Sequence, residues 1–140
     1  MQNLYKKFLI EDEFSLEDCL FSLLPGDRVF FYGDLGAGKS TFIRHLLRRQ
    51  FDNQSLTVRS PTYTYYEKYK DDISPAIYHF DLYRIEDYFG FISIGGEEIM
   101  DNESNIMLIE WPELLEGIIE PTKIVRIELK EDGTREITIQ

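Results

Sequence analysis

The chain has 140 residues, 43% of them hydrophobic and 14% aromatic; that excludes a disordered protein and fits one domain over residues 1–140 with a core of its own. Lysines and arginines number 15 against 26 acids, a net charge of −11, which excludes a protein that coats nucleic acid by bulk electrostatics, since phosphate contacts need cationic surface. The single cysteine, Cys19, excludes an internal disulfide, no Cys/His cluster has metal-ligand spacing, and no apolar run approaches the roughly 20 residues that span a bilayer.

In chain order, residues 4–10 predict a first strand. Residues 1–7 lack the long apolar core of a secretion signal, so a cytoplasmic protein is expected. Ser15, with Asp18 three residues on, resembles a capping box, and Leu16, Leu20, Leu23 and Leu24 predict an apolar helical stripe that ends at Pro25-Gly26-Asp27. Cys19 lies in that segment and reads as a buried structural thiol. Residues 28–32, Arg-Val-Phe-Phe-Tyr, read as a buried strand. Gly33-Asp34-Leu35-Gly36-Ala37-Gly38-Lys39-Ser40 then fits the phosphate-loop pattern G-x-x-x-x-G-K-[ST] without a gap. The glycines let the backbone approach a ligand, and the loop N–H groups can point inward at phosphate oxygens. Lys39 supplies a point charge for the β- and γ-phosphates and Ser40 a hydroxyl for Mg²⁺. Phe42, Ile43, Leu46, Leu47 and Phe51 recur at helical spacing, with Arg44, His45, Arg48 and Arg49 on a solvated face. Strand, loop and helix in this order is the context the motif requires.

After a connector at 52–55, residues 58–69 are rich in Thr and Tyr and read as extended. A loop at 70–75 and a strand at 76–80 make the two a hairpin. Residues 86–105 predict short helices, with mobile loops around Gly95 and Gly96. Ile106-Met107-Leu108-Ile109 is the continuous apolar run of a central parallel strand covered on both faces, ended by Glu110-Trp111-Pro112. Residues 125–129 and 136–139 flank Asp132-Gly133, a hairpin signal. The expected class is α/β: a P-loop NTPase-like mixed sheet, with a parallel core, antiparallel additions and helices on both faces. A nucleotide is expected outside the carboxyl ends of the parallel strands.

Mg²⁺ usually takes one or two carboxylates besides phosphate oxygens and water. Glu110 is the candidate metal ligand, with Ser40; the alternative is an acid that merely ends a strand at the surface. Asp81 is the candidate catalytic carboxylate. It can orient or deprotonate an attacking water, or hold Mg²⁺ through water, or else bond a turn or pair with Arg84. His79 shares the face of Asp81 if both are extended, and reads as a packed or hydrogen-bonded histidine. Ser60-Pro61-Thr62-Tyr63-Thr64 offers hydroxyls for a segment that senses a γ-phosphate, Thr62 first and Thr64 second, against ordinary strand threonines. Arg84 reads as a counter-charge to phosphate or as a surface partner of Glu86 or Asp87. Trp111 reads as a packing anchor or a partner contact, core packing being the default.

The phosphate loop with Thr41, the Ser60–Thr64 segment, His79-Phe80-Asp81-Leu82-Tyr83-Arg84 and Ile109-Glu110-Trp111-Pro112-Glu113 together resemble the TsaE family, formerly called YjeE. These are small bacterial P-loop ATPases of tRNA threonylcarbamoyladenosine biosynthesis. The similarity covers roughly residues 5–139. It implies that Asp34, Leu35, Gly36, Ala37, Gly38, Lys39, Ser40 and Thr41 bind ATP, and that Ser40 and Glu110 hold Mg²⁺. It implies that Asp81 supports hydrolysis and that Thr62 senses the nucleotide. The base would fall to the N-terminal segment or the final hairpin, with Arg135 the candidate. The resemblance also implies an ATPase, weak alone, that joins a TsaB–TsaD complex. There TsaD transfers the threonylcarbamoyl group made by TsaC onto the adenosine at position ~37 of tRNA, and hydrolysis resets the complex, as ligand-driven switches do. The chain would then not be the transferase, and would meet tRNA only through the complex. Ser40 stands where the family usually has Thr. Residues 91–98 match the family's Gly-x-x-Glu region only loosely, so no role passes to Glu97 or Glu98.

Two other classes share the loop. One is a small-molecule kinase, disfavoured because Arg59, Arg84, Arg126 and Arg135 are too widely spaced for an arginine-bearing lid. The other is a nucleotide-gated interaction module with negligible turnover, to which an acidic surface with exposed aromatics is suited.

Overall fold

Alternation along the apolar runs gives one sheet two cores. A computed structural model of the chain describes residues 16–140 and the backbone of Leu4–Leu9. The elements run β1 (Leu4–Leu9), β2 (Arg28–Tyr32), α1 (Lys39–Gln50), β3 (Tyr66–Tyr69), β4 (Ile77–Asp81), α2 (Tyr88–Ser93), α3 (Gly96–Asp101), β5 (Ile106–Glu110), a 3₁₀ turn (Pro112–Leu115), β6 (Lys123–Leu129) and β7 (Thr134–Ile139). The strands form one seven-stranded sheet in the order β1-β7-β6-β2-β5-β4-β3. Strands β6, β2, β5 and β4 are parallel; β3 at one edge, and β7 and β1 at the other, are antiparallel.

Successive strand side chains face opposite sides. Val29 and Phe31 of β2, Ile106 and Leu108 of β5 and Val125 and Ile127 of β6 therefore meet Phe42, Ile43, Leu46 and Leu47 of α1. Phe30, Met107, Ile109 and Phe80 face the other way, against Phe91 of α2, Ile99 of α3 and Leu115. The expected architecture is present: α/β, a parallel core with antiparallel additions, helices on both faces. All five residues of β5 are buried, as a strand covered on both sides requires. The rings of Phe31 and Phe42 pack with centroids 5.9 Å apart. Burying such side chains is worth roughly 1.5–3 kcal/mol each, and this pair pins the start of α1 to β2. The loop between them is thereby held at both ends.

Both expected hairpins form, β3 with β4 and β6 with β7. In the second, Gly133 has φ +83° and Asp132 Oδ1 accepts from the Thr134 N–H at 2.9 Å. Four readings need correction. The helix expected over Leu16 to Leu24 is helical only at residues 16–17 among the described residues, and its cap, Ser15, lies outside them. The reason is Gln50: its Oε1 accepts the Leu23 N–H at 3.1 Å and its Nε2 donates to the Leu23 carbonyl at 3.2 Å. A side-chain amide thus pairs the backbone as a neighbouring strand would. The extended run at 58–69 narrows to β3, because Tyr65 has φ +70° and its N–H closes a turn on the Pro61 carbonyl at 2.8 Å. Gly95 and Gly96 form a packed corner between α2 and α3, with Gly96 against the Phe91 ring. His45 is buried, its Nδ1 3.7 Å from Glu17 Oε1, and not on the solvated face. Cys19 is buried as expected. No helix among the described residues is long and apolar enough to cross a membrane.

Candidate functional site

Parallel pairing brings the two candidate carboxylates together. Asp81 and Glu110 are register partners at the ends of β4 and β5, and Glu110 lies beside Phe31 of β2. Both therefore reach the sheet edge where β2 runs into the glycine loop. By alternation His79, Asp81 and Glu110 all point to the α1 face. In the loop, Gly38 takes φ +113° and caps α1, a conformation that side-chain-bearing residues avoid. The N-terminus of α1 thus opens toward the edge that carries the carboxylates, an orientation that favours an anion. A cleft of about 470 Å³ is lined by every loop residue from Asp34 to Thr41, with Thr62, Asp81, Glu110 and Arg135. The loop, Thr62, Asp81, Glu110 and Arg135 thus share one cleft, which Thr64 and Arg84 do not line.

The polar contacts divide the cleft into two halves. On one side the Ser40 hydroxyl lies 3.3 and 3.4 Å from the carboxylate oxygens of Glu110. Glu110 is 4% exposed, and its Oε2 is 2.6 Å from Nε2 of the wholly buried His79. On the other side Thr62 Oγ1 donates to Asp81 Oδ2 at 3.1 Å and lies 2.9 Å from Ser60 Oγ. The Tyr83 N–H donates to Asp81 Oδ1 at 3.0 Å, so Asp81 holds the threonine and the turn after β4 at once. The Lys39 ammonium donates to the Gly33 carbonyl and sits 3.8 Å from the centre of the Trp111 ring. Burial pushes its pKa below the ordinary lysine value, against the opposing pull of Glu110, Asp81, Glu113 and Asp34. A desolvated cation at a helix N-terminus and a hydroxyl beside a carboxylate can hold an anion and a hard divalent ion together. Hydroxyl and carboxylate oxygens are the donors magnesium takes, and a single carboxylate leaves positions for phosphate oxygens and water. Among the described residues no group of three or more His, Cys, Asp or Glu gathers into a metal cluster.

Several side chains stand elsewhere than the sequence predicts, in whole or in part. Trp111 is half-buried and packs against the second core as expected, and its ring also lines the cleft, against Lys39 and against Tyr83, centroids 4.8 Å apart. The Arg84 guanidinium stacks over Tyr63 at 4.4 Å, outside the cleft lining, and pairs with neither Glu86 nor Asp87 among the described residues. Thr64 bonds Glu67 at 3.3 Å, which leaves Thr62 as the hydroxyl on Asp81. Arg135, expected near a base, donates through Nε to the Ala37 carbonyl at 2.7 Å and through Nη2 to the Gly36 carbonyl at 3.1 Å. Glu97 accepts from the Tyr88 hydroxyl at 2.9 Å, and neither it nor Glu98 lines the cleft. Arg44 lines the cleft and was read as solvated; its place four residues after Ser40, on the same helical face, was the available signal.

Comparison with known proteins points one way. The family model described as "Threonylcarbamoyl adenosine biosynthesis protein TsaE" matches residues 11–137. A Rickettsia felis protein named "tRNA threonylcarbamoyladenosine biosynthesis protein TsaE" is 36% identical over 115 residues, 81% of this chain and 65% of its own length. The protein of the same name from Aquifex aeolicus is 34% identical over 131 residues, 92% of this chain and 89% of its own. The chain spans just under two thirds of the Rickettsia felis relative and 63% of that from Rickettsia conorii. The crystal structure of Bacillus subtilis YdiB superposes with a TM-score of 0.69 at 26% identity, over 99% of this chain and 84% of that one.

Proposed function

The chain belongs to the TsaE family, and from that premise we propose that it is a Mg²⁺-dependent ATP-binding and ATP-hydrolysing accessory subunit of tRNA threonylcarbamoyladenosine modification, acting with a TsaB–TsaD complex. The observation that carries this reading is the approach of the Ser40 hydroxyl to within 3.4 Å of Glu110, in a cleft walled by the phosphate loop from Asp34 onward. The loop amides and Lys39 bind the triphosphate, and Lys39 leaves the Gly33 carbonyl to do so. Ser40 and Glu110 hold magnesium, whose contribution when bound is to neutralise charge on the β- and γ-phosphates. Asp81 orients a water for attack on the γ-phosphorus and accepts its proton; Thr62, already on Asp81, ties the segment before β3 to the presence of that phosphate. Hydrolysis then breaks this tie, which suits a device that resets a partner complex. Leu35 at the loop tip is 69% exposed and Tyr63, next to Thr62, is 78% exposed; apolar side chains at the mouth of the cleft fit a protein partner that covers it.

Glu110→Ala tests the reading. Turnover with Mg²⁺ should fall at least about 100-fold, the scale of a lost charge-stabilising group, while nucleotide affinity in EDTA stays within about 2-fold, less than 0.5 kcal/mol. A pull-down with TsaB and TsaD in ATP, in ADP and without nucleotide tests the partner, and retention should differ among the three. Equal turnover in variant and parent removes Glu110 from the metal site. Rapid phosphorylation of a metabolite by the isolated chain makes it a kinase.

A further inference from the structure

Arg135 is a buried cation in the wall of the cleft that grips the phosphate loop by its carbonyls. It stands at the start of β7, paired with Leu129 of β6, and by alternation shares the α1 face with Ile137 and Ile139. It is 6% exposed. Nε and Nη2 donate to two successive loop carbonyls, Ala37 and Gly36. A Cβ added at Gly38 would meet its Nε at 3.4 Å and its Cδ at 3.6 Å, so the guanidinium lies directly beneath the last glycine of the loop. Nη1 is buried with no hydrogen-bond partner among the described residues, and no carboxylate among them pairs with the side chain.

A trans peptide points its N–H opposite to its C=O, and no peptide bond among the described residues is cis. A fork that holds the carbonyls of Gly36 and Ala37 on one side therefore turns the N–H groups of Ala37 and Gly38 to the other; that of Ala37 closes a turn on the Asp34 carbonyl at 3.0 Å, which leaves that of Gly38 for a ligand. Hydrogen bonds to charged donors are strong and polarise the peptide units they engage. A buried charge without a counter-ion is costly, and an anion bound at the loop relieves that cost.

We propose that Arg135 is the positioning residue of the phosphate site: it acts on the bound polyphosphate through the loop, by holding the Ala37 carbonyl so that the Ala37–Gly38 peptide plane is fixed with its N–H turned to the ligand, and by setting a positive charge beside that plane. The inference rests on the nucleotide-binding reading and departs from a contact between Arg135 and the base. Inorganic tripolyphosphate has no base and separates the two. Calorimetric titration of tripolyphosphate, ATP and GTP into Arg135→Gln should show affinity reduced by the same factor for all three, about 10- to 100-fold, the loss expected for hydrogen bonds to a charged group. Arg135→Lys keeps the charge without the fork and should recover part of the loss; it also serves if the glutamine variant does not fold. Unchanged tripolyphosphate affinity with an altered ATP-to-GTP ratio would overturn the proposal in favour of a base contact. Unchanged affinity for all three ligands would overturn it outright. Lys39→Ala is the reference: if it too still binds tripolyphosphate, the phosphate site itself is wrong, and not only the role of Arg135.

Discussion

Glu110 is placed by a neighbour as much as by its strand. His79 contributes Nε2 at 2.6 Å, and its Nδ1 has no partner among the described residues. An N–H at Nε2 makes that contact a hydrogen bond to the carboxylate and leaves Glu110 a free lone pair toward Ser40. Side chains that orient a metal ligand are typically worth 10- to 100-fold in metal affinity. For His79→Leu, the Mg²⁺ concentration at half-saturation of nucleotide binding should rise about 10-fold, with affinity in EDTA unchanged. His79→Gln keeps an N–H at similar reach and should restore most of it; the same Mg²⁺ midpoint in the leucine variant and the parent would show the histidine to be packing alone. The common face of His79 and Asp81 was legible in their spacing of two, and Glu110 in the apolar run it ends. The contact between His79 and Glu110 was not legible, because it depends on which strands lie side by side. Trp111 on Lys39 and Arg135 on the loop were hidden for the same reason, the second closing over 98 residues of sequence.

At the scale of elements, local pattern served where local forces decide. The Asp132-Gly133 turn, the hairpin of β3 and β4 and the strand–loop–helix unit follow from residues near one another in sequence. The segment at 20–24 did not, since the amide that holds it open comes from Gln50, 27 residues away at Leu23. The corner between α2 and α3 is similar: its glycines read as loop, yet the Phe91 ring fills the space beside Gly96. A Cβ there would stand 2.5 Å from that ring, and Phe91 is wholly buried and has nowhere to go. Gly96→Ala gains helix propensity of about 1 kcal/mol but overpacks the core, at about 1–3 kcal/mol. The net should lower the urea midpoint at unchanged m-value. Gly95→Ala meets nothing within 4 Å and has only its φ of +91° to overcome, about 1–2 kcal/mol. A Gly96→Ala midpoint equal to the parent's would mean that the corner repacks freely.

On the scale of the whole molecule, charge decides how the chain can meet RNA. Its 26 acids outnumber 15 lysines and arginines, and Arg28, Lys39 and Arg135 among the latter are buried. Arg28 is spent on the carbonyls of Met100 and Asn102 at the C-terminal end of α3, Arg135 on the loop. The cations left for solvent are fewer than composition counts, while an RNA backbone repels a surface of its own sign. Affinity for a polyanion comes mainly from phosphates neutralised by cations, and falls with salt in proportion to their number. The isolated chain should therefore bind tRNA more weakly than roughly 0.1 mM at physiological salt, the weak end of non-specific binding. With TsaB and TsaD present, tRNA binding should show a salt slope that addition of this chain leaves unchanged, because the partners would supply the phosphate contacts. Fluorescence anisotropy of labelled tRNA, titrated at several salt concentrations with the chain alone and with the complex, measures both. Micromolar binding by the chain alone, with a steep salt slope, would locate a cationic RNA surface on this protein and make its encounter with the substrate direct.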